Sequence, residues 1–173
     1  MPILKKLVAK AAKKLEGKFQ KHRTSLKAGD KAPAISGITQ DGTPFDPASV
    51  KGKKVVLYFY PEDNTAGCTA QACSLRDNYA YMMKAGYAVI GVSADSVTKH
   101  QKFIKKYDLP FPLIADTEHE LIKAYDVWGK KQFMGRIYDG LIRTTFIIDE
   151  KGVIEEVISE IDTADHALQI LKG

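Results

Sequence analysis

Two thiols, Cys68 and Cys73, stand five residues apart, just after the run Val55-Val56-Leu57-Tyr58-Phe59-Tyr60-Pro61. A thiol attacks as its thiolate, and a free cysteine is only slightly ionised at neutral pH, so a reactive one needs surroundings that favour the anion. Thr65 is a good helix N-cap residue. From Cys68 onward Ala70, Gln71, Ala72, Leu75 and Arg76 are helix-compatible, with no proline or glycine until Gly86. Cys68 is thereby expected in the first turn of a helix, where unpaired N–H groups and the helix dipole favour negative charge. The Thr65 hydroxyl, three residues back, can donate to that thiolate or to a substrate oxygen. A buried, inert cysteine filling a helix–sheet gap is the plain alternative. It suits a lone cysteine in a helix better than one at a helix start behind Pro-x-x-x-Thr-x-x.

Cys73 poses a geometric problem. In an intact α-helix, residues five apart have Cα atoms about 8–9 Å apart and side chains turned by about 140° from each other. A disulfide requires Cα atoms within about 7 Å. If the two cysteines bond, the helix between them must unwind; otherwise Cys73 is a passive core residue. A metal site has little support, because Cys-x₄-Cys has no further cysteine and His22, His100, His119 and His166 are all remote in sequence.

The elements that must position these thiols follow from the pattern around them. Val55–Tyr60 is a short apolar and aromatic run closed by a proline, which predicts a strand buried on both faces. Tyr87–Ser93 predicts a second buried strand, and Asp95-Ser96 caps a helix through about Tyr107 with Phe103 and Ile104 inward. Ala34–Thr39 with Asp41-Gly42 suggests a strand and a tight turn. Pro110 and Pro112 precede the short apolar Leu113–Ala115, and Asp116-Thr117 with Glu120 starts a helix through Tyr125. Residues 126–140 read as an irregular, glycine-punctuated segment. Ile142–Ile148, a turn at 149–152 and Val153–Val157 form an antiparallel hairpin, and Thr163 caps a closing helix to about Leu171. Strands alternating with helices and ending in a hairpin predict an α/β fold with a mixed central sheet flanked by helices.

Composition narrows the class. A chain of 173 residues with 45% apolar content suits one domain with a sizeable core. No apolar run approaches the roughly 18 residues needed to span a bilayer. The N-terminus is charged from Lys5 and lacks the apolar core of a secretory signal, and two cysteines are too few to staple a secreted domain. A reducing, cytoplasmic setting is the expectation. The net charge of +5 is uneven, since residues 1–25 hold eight Lys/Arg against Glu16 alone and the remainder is slightly acidic. Within residues 2–19, Ile3, Leu4, Leu7, Val8, Ala11, Ala12, Leu15 and Phe19 recur at helical spacing, with lysines covering the rest. This predicts a basic amphipathic helix joined through polar residues 20–25 to a domain over 26–173. Such a helix can dock on a membrane surface or a partner, or pack on the domain or a second copy. Nucleic acid is a poor partner, because Phe19 is the segment's sole aromatic and offers no stacking platform.

Pro61-x-x-x-Thr65-x-x-Cys68 resembles the active-site motif of the peroxiredoxins, and Cys73 five residues on resembles the bacterioferritin-comigratory-protein or PrxQ subgroup. The resemblance extends over about residues 26–173 through Ala72-Cys73-x-x-Arg76-Asp77 and Arg143-Thr144-Thr145-Phe146-Ile147-Ile148-Asp149. It implies a thioredoxin-like fold and thiol-dependent reduction of hydroperoxides, with no metal or organic cofactor. By resemblance Cys68 is the peroxidatic cysteine and Cys73 the resolving one, joined as an intramolecular disulfide that thioredoxin or a similar dithiol reduces. Thr65 would hydrogen-bond the peroxide and the thiolate, Pro61 would shield the thiolate from water, and Arg143 would bring a fixed positive charge. Arg76 would pair with Asp77 or Glu62 in a structural role. The subgroup implies a monomer. Ala66 departs from the subgroup, which commonly has proline there, so the loop is less pre-set. The alternatives are a thioredoxin-like disulfide oxidoreductase, against which Cys-x₄-Cys rather than Cys-x-x-Cys argues, and a binding protein with an incidental thiol pair.

Overall fold

The computed structural model describes residues 2–8 and 19–173. Its frame is a six-stranded mixed sheet in the order β1-β4-β3-β2-β7-β8. These strands are β1 (Ile38–Thr39), β2 (Lys54–Phe59), β3 (Tyr87–Ser93), β4 (Leu113–Ala115), β7 (Thr144–Ile148) and β8 (Ile154–Ile158). β2 pairs parallel with β3 and antiparallel with β7, so the strand leading to Cys68 is central and bonded on both edges. That position explains its unbroken apolar run: Val56 and Tyr58 face one layer and Val55, Leu57 and Phe59 the other, all buried.

On the Val56–Tyr58 face lie the helices α1 (Ala66–Asp77), α3 (Val97–Tyr107) and α5 (His166–Leu171), which contribute Leu75, Phe103 and Ile170 to the core there. On the other face α4 (Glu120–Ala124) brings Leu121, which packs with Tyr125, Phe59 and Phe146. A short α2 (Tyr79–Lys84) follows α1 after a break at Asn78, so the expected uninterrupted helix is two.

Several boundaries differ from the sequence pattern. The strand expected over Ala34–Thr39 is confined to Ile38–Thr39, a short edge pairing with β4. Gly37 precedes it at φ 141°, and a Cβ there would strike the Ile114 side chain. The Ile142 run enters the ladder at Thr144. The closing helix begins after Asp165 rather than Thr163. Asp116 supports α4 from a distance, its carboxylate accepting from the Leu121 and Ile122 backbone N–H groups.

The largest difference lies at 126–140, which is a regular hairpin, β5 (Trp128–Phe133) and β6 (Arg136–Leu141), in its own two-stranded sheet. Met134 and Gly135 turn it with φ of 50° and 79°. Paired left-handed residues match the twist of a tight hairpin, but methionine is an unusual first residue there, which hid the turn. Residues 20–25 also differ from a simple joint. His22 N–H donates to Lys130 O at 2.9 Å, and the Thr24 hydroxyl donates to Tyr125 O at 2.7 Å. The expected helix over 2–19 is seen over residues 2–8, with residue 19 non-helical, and its stretch 9–18 lies outside the described residues.

Candidate active site

β2 ends at Phe59, and the chain turns through Pro61 into α1, whose N-cap position is Thr65. Cys68 is the third residue of α1, in its first turn, and is buried with 2% exposure. Its companions on the inner helix face are Gln71, Ala72 and Leu75, at the three- and four-residue spacing of one stripe. Cys73 falls outside that stripe and is half-buried, and both thiols are free.

Arg143 completes the site from the connection between β6 and β7. Its Nη2 donates to Cys68 Sγ at 3.3 Å and its Nη1 to Gln71 Oε1 at 2.6 Å. The planar fork spans two acceptors three residues apart on one helix, so the cation is aimed at the sulfur and held by the glutamine. Gly67 leaves the room: a Cβ there would come within 3.2 Å of the same Nη2. The arrangement can stabilise a thiolate and the charge that grows on an oxygen leaving it. A second cation, Lys131 on β5, donates to Leu141 O at 2.7 Å. Its pKa lies below the ordinary lysine value, first because of burial and then because of Arg143, with Cys68 acting in the opposite direction.

Thr65 holds the N-cap position without a side-chain capping bond, and its hydroxyl donates to Glu62 O at 2.9 Å. The oxygen's lone pairs remain to accept from a hydroperoxide O–H. Pro61 is half-buried at the end of β2. Arg76 pairs with Asp77 at 2.9 Å, and its Nη1 donates to Tyr107 O at 2.7 Å, tying the last turn of α1 to α3. Glu62 pairs instead with Lys99. Ser74 Oγ accepts from the Ala167 N–H at 3.1 Å, tying the same turn to α5.

Beneath the loop lies a polar network that sequence reasoning missed. Asp63 is buried at 2% exposure, with Oδ1 accepting from Tyr60 Oη at 2.5 Å and Oδ2 lying 2.6 Å from His100 Nδ1. His100 Nε2 donates to Ile114 O at 3.0 Å, so the Asp63–His100 contact holds one further proton and the pair carries no net charge. The Asp63 N–H donates to Asp95, which also accepts from Ser93 and pairs with Lys99. Burial pushes the Asp95 carboxyl up, but these hydrogen bonds outweigh it and hold the pKa below the usual carboxylate value. Asp63, Asp95 and His100 come within 4.8 Å of one another, the spacing of a metal site. Each is already engaged by protein donors or acceptors, which marks a hydrogen-bonded staple for the loop that carries Thr65. Gln71, also missed, had a sequence signal in its position three residues after Cys68. Asp63 had none, because its partner is 37 residues away.

Known proteins resemble this chain over most of its length. A model of the AhpC/TSA family matches residues 28–157. The chain is 45% identical over 141 residues to "Peroxiredoxin Bcp" of Escherichia coli (strain K12), covering 82% of this chain and 90% of that protein. It is 42% identical over 151 residues to "Peroxiredoxin Bcp" of Bacillus subtilis (strain 168), covering 86% and 96%. Among solved structures it is similar to Peroxiredoxin Q of Xanthomonas campestris, with TM-score 0.75 and 30% identity over 86% of this chain and 94% of that one.

Proposed function

We propose that in this chain, which belongs to the AhpC/TSA family and is a thiol peroxidase of the Bcp/PrxQ peroxiredoxins, Cys68 is the peroxidatic thiol and Cys73 the resolving thiol. The observation that carries this reading is the Arg143 guanidinium, 3.3 Å from the sulfur of a cysteine in the first turn of a helix. The Cys68 thiolate attacks the terminal oxygen of a hydroperoxide; the O–O bond breaks and leaves a sulfenic acid and an alkoxide or hydroxide, which takes up a proton. Arg143 and the first-turn N–H groups stabilise the departing negative charge, Thr65 orients the peroxide, and Pro61 shields the thiolate.

The second step requires α1 to open, because an intact helix holds Cys68 and Cys73 about 8–9 Å apart at Cα. The opened Cys73 thiolate attacks the sulfenic sulfur, the S–S bond forms, and hydroxide leaves as water after protonation. Opening withdraws Cys68, Gln71 and Ala72 from the core, while the Ser74 and Arg76 ties hold the far end of the helix. A thioredoxin-type dithiol then exchanges with the disulfide and regenerates both thiols. Thioredoxin itself as the donor, a monomeric state and a cytoplasmic setting are the finer parts of the proposal. No helix among the described residues is long and apolar enough to cross a membrane. Residues 1–25 are read as an extension to the catalytic domain that docks on a membrane surface or a partner. The test couples hydroperoxide consumption to oxidation of reduced thioredoxin. Wild type is expected to turn over and Cys68→Ser to be inactive; turnover by Cys68→Ser would remove the assignment.

A further inference from the structure

Nine of the thirteen large hydrophobic side chains exposed among the described residues fall in two short segments, residues 2–8 and the β5–β6 hairpin. The same segments hold the positive charge. Residues 1–25 have eight Lys/Arg and one acidic residue, residues 128–141 have Lys130, Lys131 and Arg136 against Asp139, and the rest of the chain has fifteen Lys/Arg against nineteen Asp/Glu. Apolar exposure and cationic charge thus coincide on two pieces of an otherwise acidic protein.

Residues 21–25 tie the N-terminal segment to the domain at several points, through Glu160, Tyr125 and Asp126 among others. One of these ties is on the hairpin: the His22 N–H donates to Lys130 O, and the His22 ring packs where a Cβ on Gly129 would fall. Gly129 belongs to the hairpin face that also carries Lys131, Phe133, Arg136 and Tyr138, since antiparallel partners share a face and alternate residues repeat it. Phe133, Arg136 and Tyr138 line a shallow cleft there, and Lys131 Nζ stands 5.9 Å from the Tyr138 ring centroid. Met134 at the tip is 90% exposed. β6 leads within two residues to Arg143, whose guanidinium reaches Cys68.

We propose that the basic N-terminal helix and the β5–β6 hairpin form one docking surface for an anionic lipid bilayer. Aromatic residues interleaved with lysine and arginine suit the headgroup region, and an amphipathic cationic helix suits the same depth. Charge complementarity selects the occupant: the surface is positive on a protein whose remainder is negative, and anionic headgroups supply the opposite sign. Two attachment points, each weak alone, bind together through the effective concentration that the His22 joint provides. The proposal does not depend on the assignment of Cys68.

The test is sedimentation of the full-length protein with vesicles of phosphatidylcholine alone or with about one-third phosphatidylglycerol, at low and high salt. One double variant is Phe133→Glu with Met134→Asn, the asparagine suiting the positive φ of the turn. The other is Leu4→Glu with Leu7→Glu. Wild type is expected to partition onto the anionic vesicles only and to lose about tenfold in affinity at high salt. Each double variant is expected to bind about tenfold or more weakly, with dithiothreitol-supported peroxide consumption unchanged without vesicles. Failure of wild type to bind, or equal binding to neutral vesicles, overturns the proposal. So does a hairpin variant that binds normally; if it also raises the KM for reduced thioredoxin, that face belongs to the reductant. A hairpin variant that instead changes the sedimenting mass of the free protein assigns the face to a second copy.

Discussion

Replacing Arg143 by methionine keeps the side chain's length and removes its charge, its bond to Cys68 Sγ at 3.3 Å and its bond to Gln71 Oε1 at 2.6 Å. One preorganised donor aimed at developing negative charge contributes about 3–4 kcal/mol to a barrier, a factor of about 10² to 10³ in rate. The lower end applies, because Arg143 is half-buried and an N–H to sulfur contact is long. The second-order rate of Cys68 oxidation by hydrogen peroxide is therefore expected to fall about 100-fold in Arg143→Met. Arg143→Lys is expected to fall about tenfold, because an ammonium supplies the charge without the fork that reaches both acceptors. Quenched-flow with thiol alkylation reads the first turnover and is independent of the reductant. A rate in Arg143→Met within about threefold of wild type, with an unchanged circular dichroism spectrum, would refute the stabilising role assigned to this cation.

Other expectations follow from the surroundings of the site. Gly67→Ala places a Cβ 3.2 Å from Arg143 Nη2, so the guanidinium must give by a few tenths of an ångström; peroxide reduction should slow by roughly tenfold with little change in Tm, and an unchanged rate would show that its position is not critical. His100→Ala strands the buried Asp63 carboxyl and should cost about 3–5 kcal/mol in urea unfolding, whereas Asp63→Asn, whose amide can both accept from Tyr60 and donate to a neutral His100, should cost less than about 1.5 kcal/mol. Equal losses would mean that the pair is not a proton-sharing staple. His166 lies between Thr145 and Gln169, each 2.9 Å away. Its pKa is below the ordinary 6.5, first through burial and also through Arg143. The unfolded chain therefore binds the extra proton first, and this histidine's contribution falls as pH drops below about 6.5 toward its lowered folded value. The urea midpoint measured from pH 7.5 down to about 5 should fall more steeply in wild type than in His166→Gln, and parallel slopes would contradict this.

The features legible in the sequence are those written in local pattern. Val55–Tyr60 is apolar at every position because β2 is bonded on both edges and covered on both faces, and the Cys68 helix start follows from Pro61 and Thr65 at fixed spacing. The mixed sheet and the thioredoxin-like fold followed from strands alternating with helices and from the resemblance carried by these motifs. What stayed hidden depends on distant partners. Nothing local in the sequence couples Asp63 to His100, because it is the fold that brings β4 and α3 against the loop. The β5–β6 hairpin was obscured because Met134-Gly135 lacks the usual turn chemistry and because Phe133, Ile137 and Tyr138 are exposed, so no alternation of buried and open positions marks its strands. The polar residues 22–25 looked like a joint because their partners Lys130, Tyr125 and Asp126 are about a hundred positions away.

In the proposed cycle one helix must be folded for Cys68 to meet the peroxide and opened for Cys73 to reach it. Mass spectrometry of a non-reducing digest after one equivalent of hydroperoxide tests it most directly. The expected products are a Cys68–Cys73 disulfide within one chain in wild type, a sulfenic acid on Cys68 in Cys73→Ser, and no peroxide-dependent change in Cys68→Ser. A disulfide found only between chains, or none in wild type, would contradict it.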